Sequence, residues 1–416
     1  MGLAMAERKA VTKEVVRRYE RASKSAKGKI LDELCELNGW HRDHARKALR
    51  TARRPAPARM PRAVTRVYGP ELLEPLKVVW ATLDGPCGKR LVAVMAETIE
   101  ALERFGEIEL TPEVRSKLLA MSASTADRML RAVRARLEVK GRSGTKPGSL
   151  LKHKIAVRTF ADWDDHRPGF CEVDLVGHEA GNPAGDFCQT LDLTCVFSGW
   201  TETRALANKA QRWVMEAISD IRSHLPFPLL GLDSDNGAEF INAQLYDYCV
   251  AEHITFTRSR SGRKNDNCYV EQKNWSVVRQ AVGYLRYDTP AELEVLRELY
   301  TYLRCYTNFF LPQAHLVEKV RDGAKVRKRH DTPKTPYRRL LECPDVKAAV
   351  KRSLRRQYVE LNPAQLKRQI ARCQDELVRL VKTKKAPTQR KEVAPSPSHP
   401  WRAPVVRQRM VRTRAS

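Results

Sequence analysis

The chain has no run of eighteen apolar residues, so no ordinary membrane-spanning helix is expected. Its opening stretch, MGLAMAERKAVTKEVVRRYE, lacks the apolar core of a secretory signal. Ten cysteines occur without a single Cys-x-x-Cys pair or a regular framework. Reduced thiols in a cytosolic protein are expected, and a structural zinc is not. Acid is scarce too: 49 Asp and Glu stand against 76 Lys and Arg, a net charge of +27. Solubility alone needs far less charge than that. A polyanion is the expected partner, because each phosphate neutralised by Lys or Arg releases a condensed counterion.

The apolar share, 42%, is that of a globular protein, and 416 residues exceed one compact core. The expectation is a multidomain chain: N-terminal all-α helix-turn-helix modules, a central α/β core and a C-terminal helical basic extension. Residues 1–52 form the first DNA-binding module. In KGKILDELCELNGWHRDHARKALR, Ile30, Leu31, Leu34 and Leu37 recur at helical spacing, Asn38-Gly39-Trp40 breaks the pattern, and a basic second helix follows. Arg42, His44, Arg46, Lys47 and Arg50 lie on its outer face as candidate DNA contacts. An ordinary helical hairpin with a solvated basic face is the alternative; His41 and His44 lack the further ligands a metal needs.

Residues 53–68 belong to a linker rich in proline and arginine. A second helical module spans 69–140, in which Thr111-Pro112 starts one helix and Ser124 caps the next, with Asp127 three residues on. Arg128, Arg131 and Arg134 are available there to phosphates; a plain helical bundle is the alternative. Residues 141–165 include a Gly/Ser linker. Over 166–315, three consecutive strands (169–177, 187–197 and 201–206) precede alternating helices and strands, the order of an α/β layer. Residues 316–381 are read as a basic helical extension. Within it Asn362-Pro363 opens an amphipathic helix bearing Leu366, Ile370, Cys373 and Leu377, which pairs with another copy or packs on the chain itself. The 382–416 tail holds ten Lys/Arg, one acid and five prolines, a composition that favours disorder.

Three acids stand out. Asp174 interrupts the apolar strand CEVDLVG, where burial costs hydration and demands a partner. Asp235 ends the run PLLGLDSD, at the carboxyl end of a strand, where open α/β sheets place ligands. Glu271 falls in the first turn of the helix in NDNCYVEQKN. Sixty residues separate the first two and thirty-five the last two. If they converge, they suit hard divalent cations, which prefer oxygen ligands and leave positions for phosphate oxygens. Each also has a plainer role: a buried structural carboxylate, a turn cap, a helix N-terminal charge. Glu172 competes with Asp174 and Asp233 with Asp235, since alternation points each pair to one side.

The strand aspartate, SDNGAEF, and the glutamate thirty-five residues later together resemble the Asp-Asp-Glu core of retroviral integrases and bacterial insertion-sequence transposases, the ribonuclease H-like superfamily. FTRSRSGRKNDNCYVEQKN resembles the loop and helix that deliver the last acid, and residues 308–341 the segment after the core in one transposase group. The likeness covers roughly 166–341. It implies that Asp174, Asp235 and Glu271 are metal ligands for two Mg2+ ions, or Mn2+, with DNA bound. Asn236 and Gly237 match the turn after the second acid. Arg258, Arg260, Arg263, Lys264 and Lys273 become candidate DNA contacts, with Asn274 and Arg279 nearby. The His-His-Cys-Cys zinc module of retroviral integrases is missing from the N-terminal part. The implied function is transposition: 3′-end cleavage and strand transfer of a mobile element, by a homo-oligomer that binds element ends and target DNA, with a helper protein left open. Two rivals remain, a metal nuclease of this fold that cuts without joining, and an inactive DNA-binding relic or regulator.

Overall fold

The computed structural model describes residues 4–53, 67–135, 156–157, 166–235, 237, 239–259, 268–323 and 325–384. The chain divides into two compact units, Met1–Val67 and Tyr68–Ser416. In the first, α1 (Met5–Arg21), α2 (Lys24–Asn38) and α3 (Arg42–Arg53) close on Leu31, Leu34, Ala45 and Leu49, with Val15, Tyr19 and Trp40 packed alongside. Ser23 caps α2 by accepting from the Ala26 amide, and Gly39, at φ 64°, ends it in the left-handed region that a side chain would strain. Leu37, expected inward, is exposed. The helix stops one residue later, and it is Asn38 that turns in and donates to the Leu34 carbonyl.

The second unit opens with helices α4 (Leu73–Thr82), α5 (Gly88–Ala93), α6 (Met95–Arg104), α7 (Pro112–Leu119) and α8 (Ala123–Arg134). Ser122, not Ser124, caps α8. Asp127 instead accepts from the Gly88 amide at 2.7 Å, joining α8 to the start of α5.

A six-stranded sheet follows: β1 (Ala156–Val157), β2 (Phe170–Gly177), β3 (Gln189–Cys195), β4 (Thr201–Leu206), β5 (Gly231–Ser234) and β6 (Thr255–Arg258), in the order β1-β6-β5-β2-β3-β4. β2, β3 and β4 form the antiparallel meander expected from three consecutive strand signals; β5 and β6 extend β2 in parallel. Helices α9 (Gln211–His224) and α10 (Ala243–Ala251) lie in the parallel crossovers. Alternation gives the sheet two unlike faces. Cys171, Val173, Leu191, Leu193 and Leu232 fill the apolar face. The register puts Glu172, Asp174, Asp192 and Asp233 on the other.

That polar face is crossed by α11 (Cys268–Lys273), a π-helical stretch (Asn274–Arg279) and α12 (Gln280–Val282), one continuous helical run. The long α13 (Pro290–Phe310) then packs beside edge strand β4. There Asn308 accepts from the Thr201 amide and donates to its carbonyl, both at 2.8 Å, supplying the partners an edge lacks.

Residues 316–330 depart from the expected helical extension. They form a hairpin of β7 (Leu316–Asp322) and β8 (Lys325–His330), exposed throughout. Asp322-Gly323 is a hairpin turn signal and Gly323 takes φ 55°; valines at 317, 320 and 326 favour strand over helix. Helices α14 (Pro336–Glu342), α15 (Ala348–Glu360) and α16 (Pro363–Thr383) complete the fold. The Leu366, Ile370, Cys373 and Leu377 stripe is buried, and α16 packs on α13 within its own chain. Arg368 and Asn362 bind Glu107, just beyond α6, and hold its carboxyl down at about 2. The 69–140 helices thus share one apolar core with the sheet and the C-terminal helices. No helix among the described residues is long and apolar enough to cross a membrane, and none of the ten cysteines is bridged. Most of both linkers and nearly all of the 382–416 tail lie outside the described residues.

Candidate active site

β2 and the helical run above it are fastened at three places. The buried Glu172 carboxylate accepts from the Tyr269 and Val270 amides at 2.9 and 3.0 Å, so it caps the N-terminus of α11. One strand repeat on, Asp174 accepts from the Asn274 side-chain amide at 2.6 Å. Further along, Arg279 donates to the Gly177 carbonyl at 2.8 Å. Glu172 and Asp174, rivals in sequence, therefore divide the work. Glu172 anchors the helix, and Asp174 stays half-buried at the surface of the sheet.

Glu271 precedes Asn274 by three residues, so both lie on one face of the helix. Tying Asn274 to Asp174 brings Glu271 over the sheet, and Glu271 remains exposed there. Asp235 arrives from the end of β5 and accepts from the Gly237 amide at 2.8 Å, an Asx turn. A side chain at Gly237 would crowd the carboxyl ends of Glu239, at 2.7 Å, and Asp235, at 2.9 Å. Asn236 lies outside the described residues.

Asp174 feels both of the other acids. Burial pushes the Asp174 carboxyl up to about 7, and the charges of Asp235 and Glu271 add to the push. Hydrogen bonds from Leu175 and Asn274 oppose it. Asp235 is also raised, by burial first, against the Gly237 hydrogen bond, with Glu239 adding repulsion. Asp233 is fully buried and accepts from the Thr257 hydroxyl, a place inside the sheet rather than on its rim. Among the described residues no three His, Cys, Asp or Glu side chains already close on a single point. Asp174 and Asp235, both raised by burial, with Glu271 close enough to act on Asp174, are nonetheless the oxygen donor set that a hard divalent cation would relieve of repulsion.

A fourth acid escaped the sequence reading. Asp192 on β3 faces Asp174 across the strand pair and is completely buried. Its carboxyl is raised by burial; the Lys273 charge and the Thr194 hydroxyl pull it down, and Asp174 pushes it up. The signal was present: FCQTLDLTCVF carries an aspartate inside an apolar strand, as CEVDLVG does. Asp192 also corrects the role expected of Lys273, which is buried rather than turned to DNA. Burial lowers the Lys273 amine, and Asp192 opposes that shift. Asn274 and Arg279 likewise point to the sheet.

The remaining candidates separate by accessibility. Arg46, Lys47 and Arg50 are exposed on α3, Arg46 bonding Asp43 at 3.0 Å. His44 is exposed and packs edge-on against Trp40, while Arg42 is half-buried and tied to Asp32. Arg128 and Arg131 are exposed on α8, whereas Arg134 is held by Asp127 and the Pro86 carbonyl. Arg258 ends β6; Arg260, Arg263 and Lys264 lie outside the described residues.

No family model matches the chain. It is 39% identical over 337 residues to "Uncharacterized protein y4rM" of Sinorhizobium fredii (strain NBRC 101917 / NGR234), covering 81% of this chain and 96% of that protein. Solved structures similar to it include the catalytic core domain of BIV integrase, at 17% identity over 41% of this chain and 91% of that one, TM-score 0.28. Another is the HTLV-2 integrase catalytic core domain in complex with magnesium, at 14% identity over 35% and 90%, TM-score 0.26. A third is the simian T-cell lymphotropic virus intasome, at 14% identity over 51% and 69%, TM-score 0.29. At scores this low, the chain's own sheet and carboxylates decide the fold.

Proposed function

The chain belongs to the family of y4rM, and we propose that it is a DNA transposase that cleaves 3′ ends of a mobile element and joins them to target DNA. The observation that carries this reading is the placement of Asp174, Asp235 and Glu271 on two adjacent strands and a helix fastened across them, with the charges of Asp235 and Glu271 both bearing on Asp174. Asp174, Asp235 and Glu271 would together hold the Mg2+ or Mn2+ ions, two of them when DNA is bound. When bound, such ions lower the pKa of an attacking hydroxyl and neutralise charge on the phosphate and leaving oxygen. The protein's part is placement. Glu172 fixes the start of α11, Asn274 orients the Asp174 carboxylate, and the Gly237 amide holds Asp235. Water and a DNA 3′-hydroxyl are both oxygen nucleophiles, so one site serves cleavage and joining. The exposed cations of α3 and α8 support DNA binding, and the net charge of +27 supports it further.

Asp235→Asn tests the site. Cleavage of DNA carrying the element ends should disappear while binding to those ends persists. Undiminished cutting by that variant defeats the assignment. Joining of pre-cut ends by the wild type separates a transposase from a nuclease that only cuts.

A further inference from the structure

The β7–β8 hairpin is not alike on its two sides. On one, Glu318 faces Arg329, with a salt bridge at 2.9 Å, and Asp322 faces Lys325. On the other, Lys319 stands directly opposite Lys328 and Arg321 opposite Val326, with no acid in the register. Two like charges face to face across a strand pair destabilise it. Neither lysine makes a salt bridge among the described residues, and both strands are exposed along their length. A two-stranded ribbon bearing such a face suits a polyanion.

Where that face lies narrows the partner. Lys319 and Lys328 line a cleft of about 920 Å3, another wall of which is the helical run that carries Glu271. Gln272 and Trp275 lie on that wall, and Trp275 is 59% exposed. An indole left open to water beside a basic surface is a platform on which an unpaired base can stack.

We propose that this cleft is a track for a single DNA strand beside the helix that carries Glu271: Lys319 and Lys328 bind successive phosphates, and Trp275 stacks on an unpaired base. The proposal rests on the DNA-processing reading above and adds where the strand runs. It also gives the hairpin a purpose, since a two-stranded ribbon exposed on both sides has little stability of its own to offer.

The test measures binding of the full chain, in EDTA, to a labelled duplex with an unpaired 3′ tail and to its blunt counterpart. The variant K319A/K328A should bind the tailed probe roughly tenfold more weakly, and its salt slope should shrink by about 1.4, the single-strand value for two phosphate contacts. K325A/R329A, on the opposite side of the ribbon, should stay within about twofold of wild type, which separates local contact from a general loss of charge. W275A should weaken the tailed probe and leave the blunt one unchanged. Wild-type affinity and slope in K319A/K328A, or an equal loss in K325A/R329A, overturns the track; equal effects of W275A on both probes overturn the stacking. If the lysine variants behave as expected while the wild type never cuts DNA with Mg2+, the track stands and the transposase reading falls. If the wild type binds neither probe, both fall.

Discussion

Removing the charge of Asp174 should make the metal-free protein more stable while disabling it. The carboxyl titrates at about 7 in the folded chain against an ordinary 3.8, raised by burial and then by Asp235 and Glu271. The sign follows from proton binding. Between those two pH values the folded state holds the proton and the unfolded state has released it, so stability falls as pH rises through about 7. Complete ionisation corresponds to about 4 kcal/mol for an isolated group. Asp235 titrates in the same cluster, so about 2 kcal/mol is the reasonable share for Asp174. Asp174→Asn keeps the shape and an oxygen for the Leu175 amide, and it does not ionise. Thermal melts in EDTA should show the variant about 4 °C above wild type at pH 8, at roughly 2 °C per kcal/mol, with the gap closing near pH 4. Saturating Mg2+ should reverse the order, because ligand at 100 times its Kd stabilises the wild type alone by about 2.7 kcal/mol. A variant that melts lower than wild type at pH 8 in EDTA, or a gap independent of pH, refutes the reasoning.

Four further outcomes are expected. Glu172→Ala should cost about 2 kcal/mol in chemical denaturation, by orphaning the Tyr269 and Val270 amides, and should also lower metal-dependent cleavage. Asn274→Ala should leave stability within about 1 kcal/mol, the net worth of one hydrogen bond, yet reduce the apparent Mg2+ affinity read from cleavage titrations. Phe309→Ala should destabilise by about 3–5 kcal/mol, since its ring is 2% exposed and packs on Trp200 and Tyr337. Neutralising Arg46 and Arg50 together should weaken binding to element ends and lower the salt slope by nearly two; unchanged affinity removes α3 from the DNA site.

What the sequence disclosed and what it hid follow from how local each signal is. The order β2-β3-β4, then α9, β5, α10, β6 and α11, is legible because each element carries its own periodicity and turn residues. The 316–330 hairpin was legible in principle, through Asp322-Gly323 and spaced valines, but its basic residues read equally well as a solvated helix face. Choosing between Glu172 and Asp174 needs a partner about a hundred residues away: the α11 amides claim the first and Asn274 the second. The burial of Lys273 is hidden for the same reason. A lysine beside an acidic helix position looks solvent-facing until Asp192, on a strand eighty residues earlier, is found beneath it. The packing of α4–α8 on α14–α16 rests on one apolar core shared by residues about 250 positions apart, rimmed by pairs such as Arg338 with Glu97 and Lys367 with Asp84, which no local pattern announces.

The central claim is that Asp174, Asp235 and Glu271 form one metal site over the central strands of the sheet. Anomalous diffraction from crystals grown with Mn2+ tests it most directly. A peak at coordination distance, about 2 Å, from both the Asp174 and Asp235 carboxylates is predicted, lost in Asp174→Asn. Full-occupancy Mn2+ bound elsewhere, with those two carboxylates bare, would contradict it.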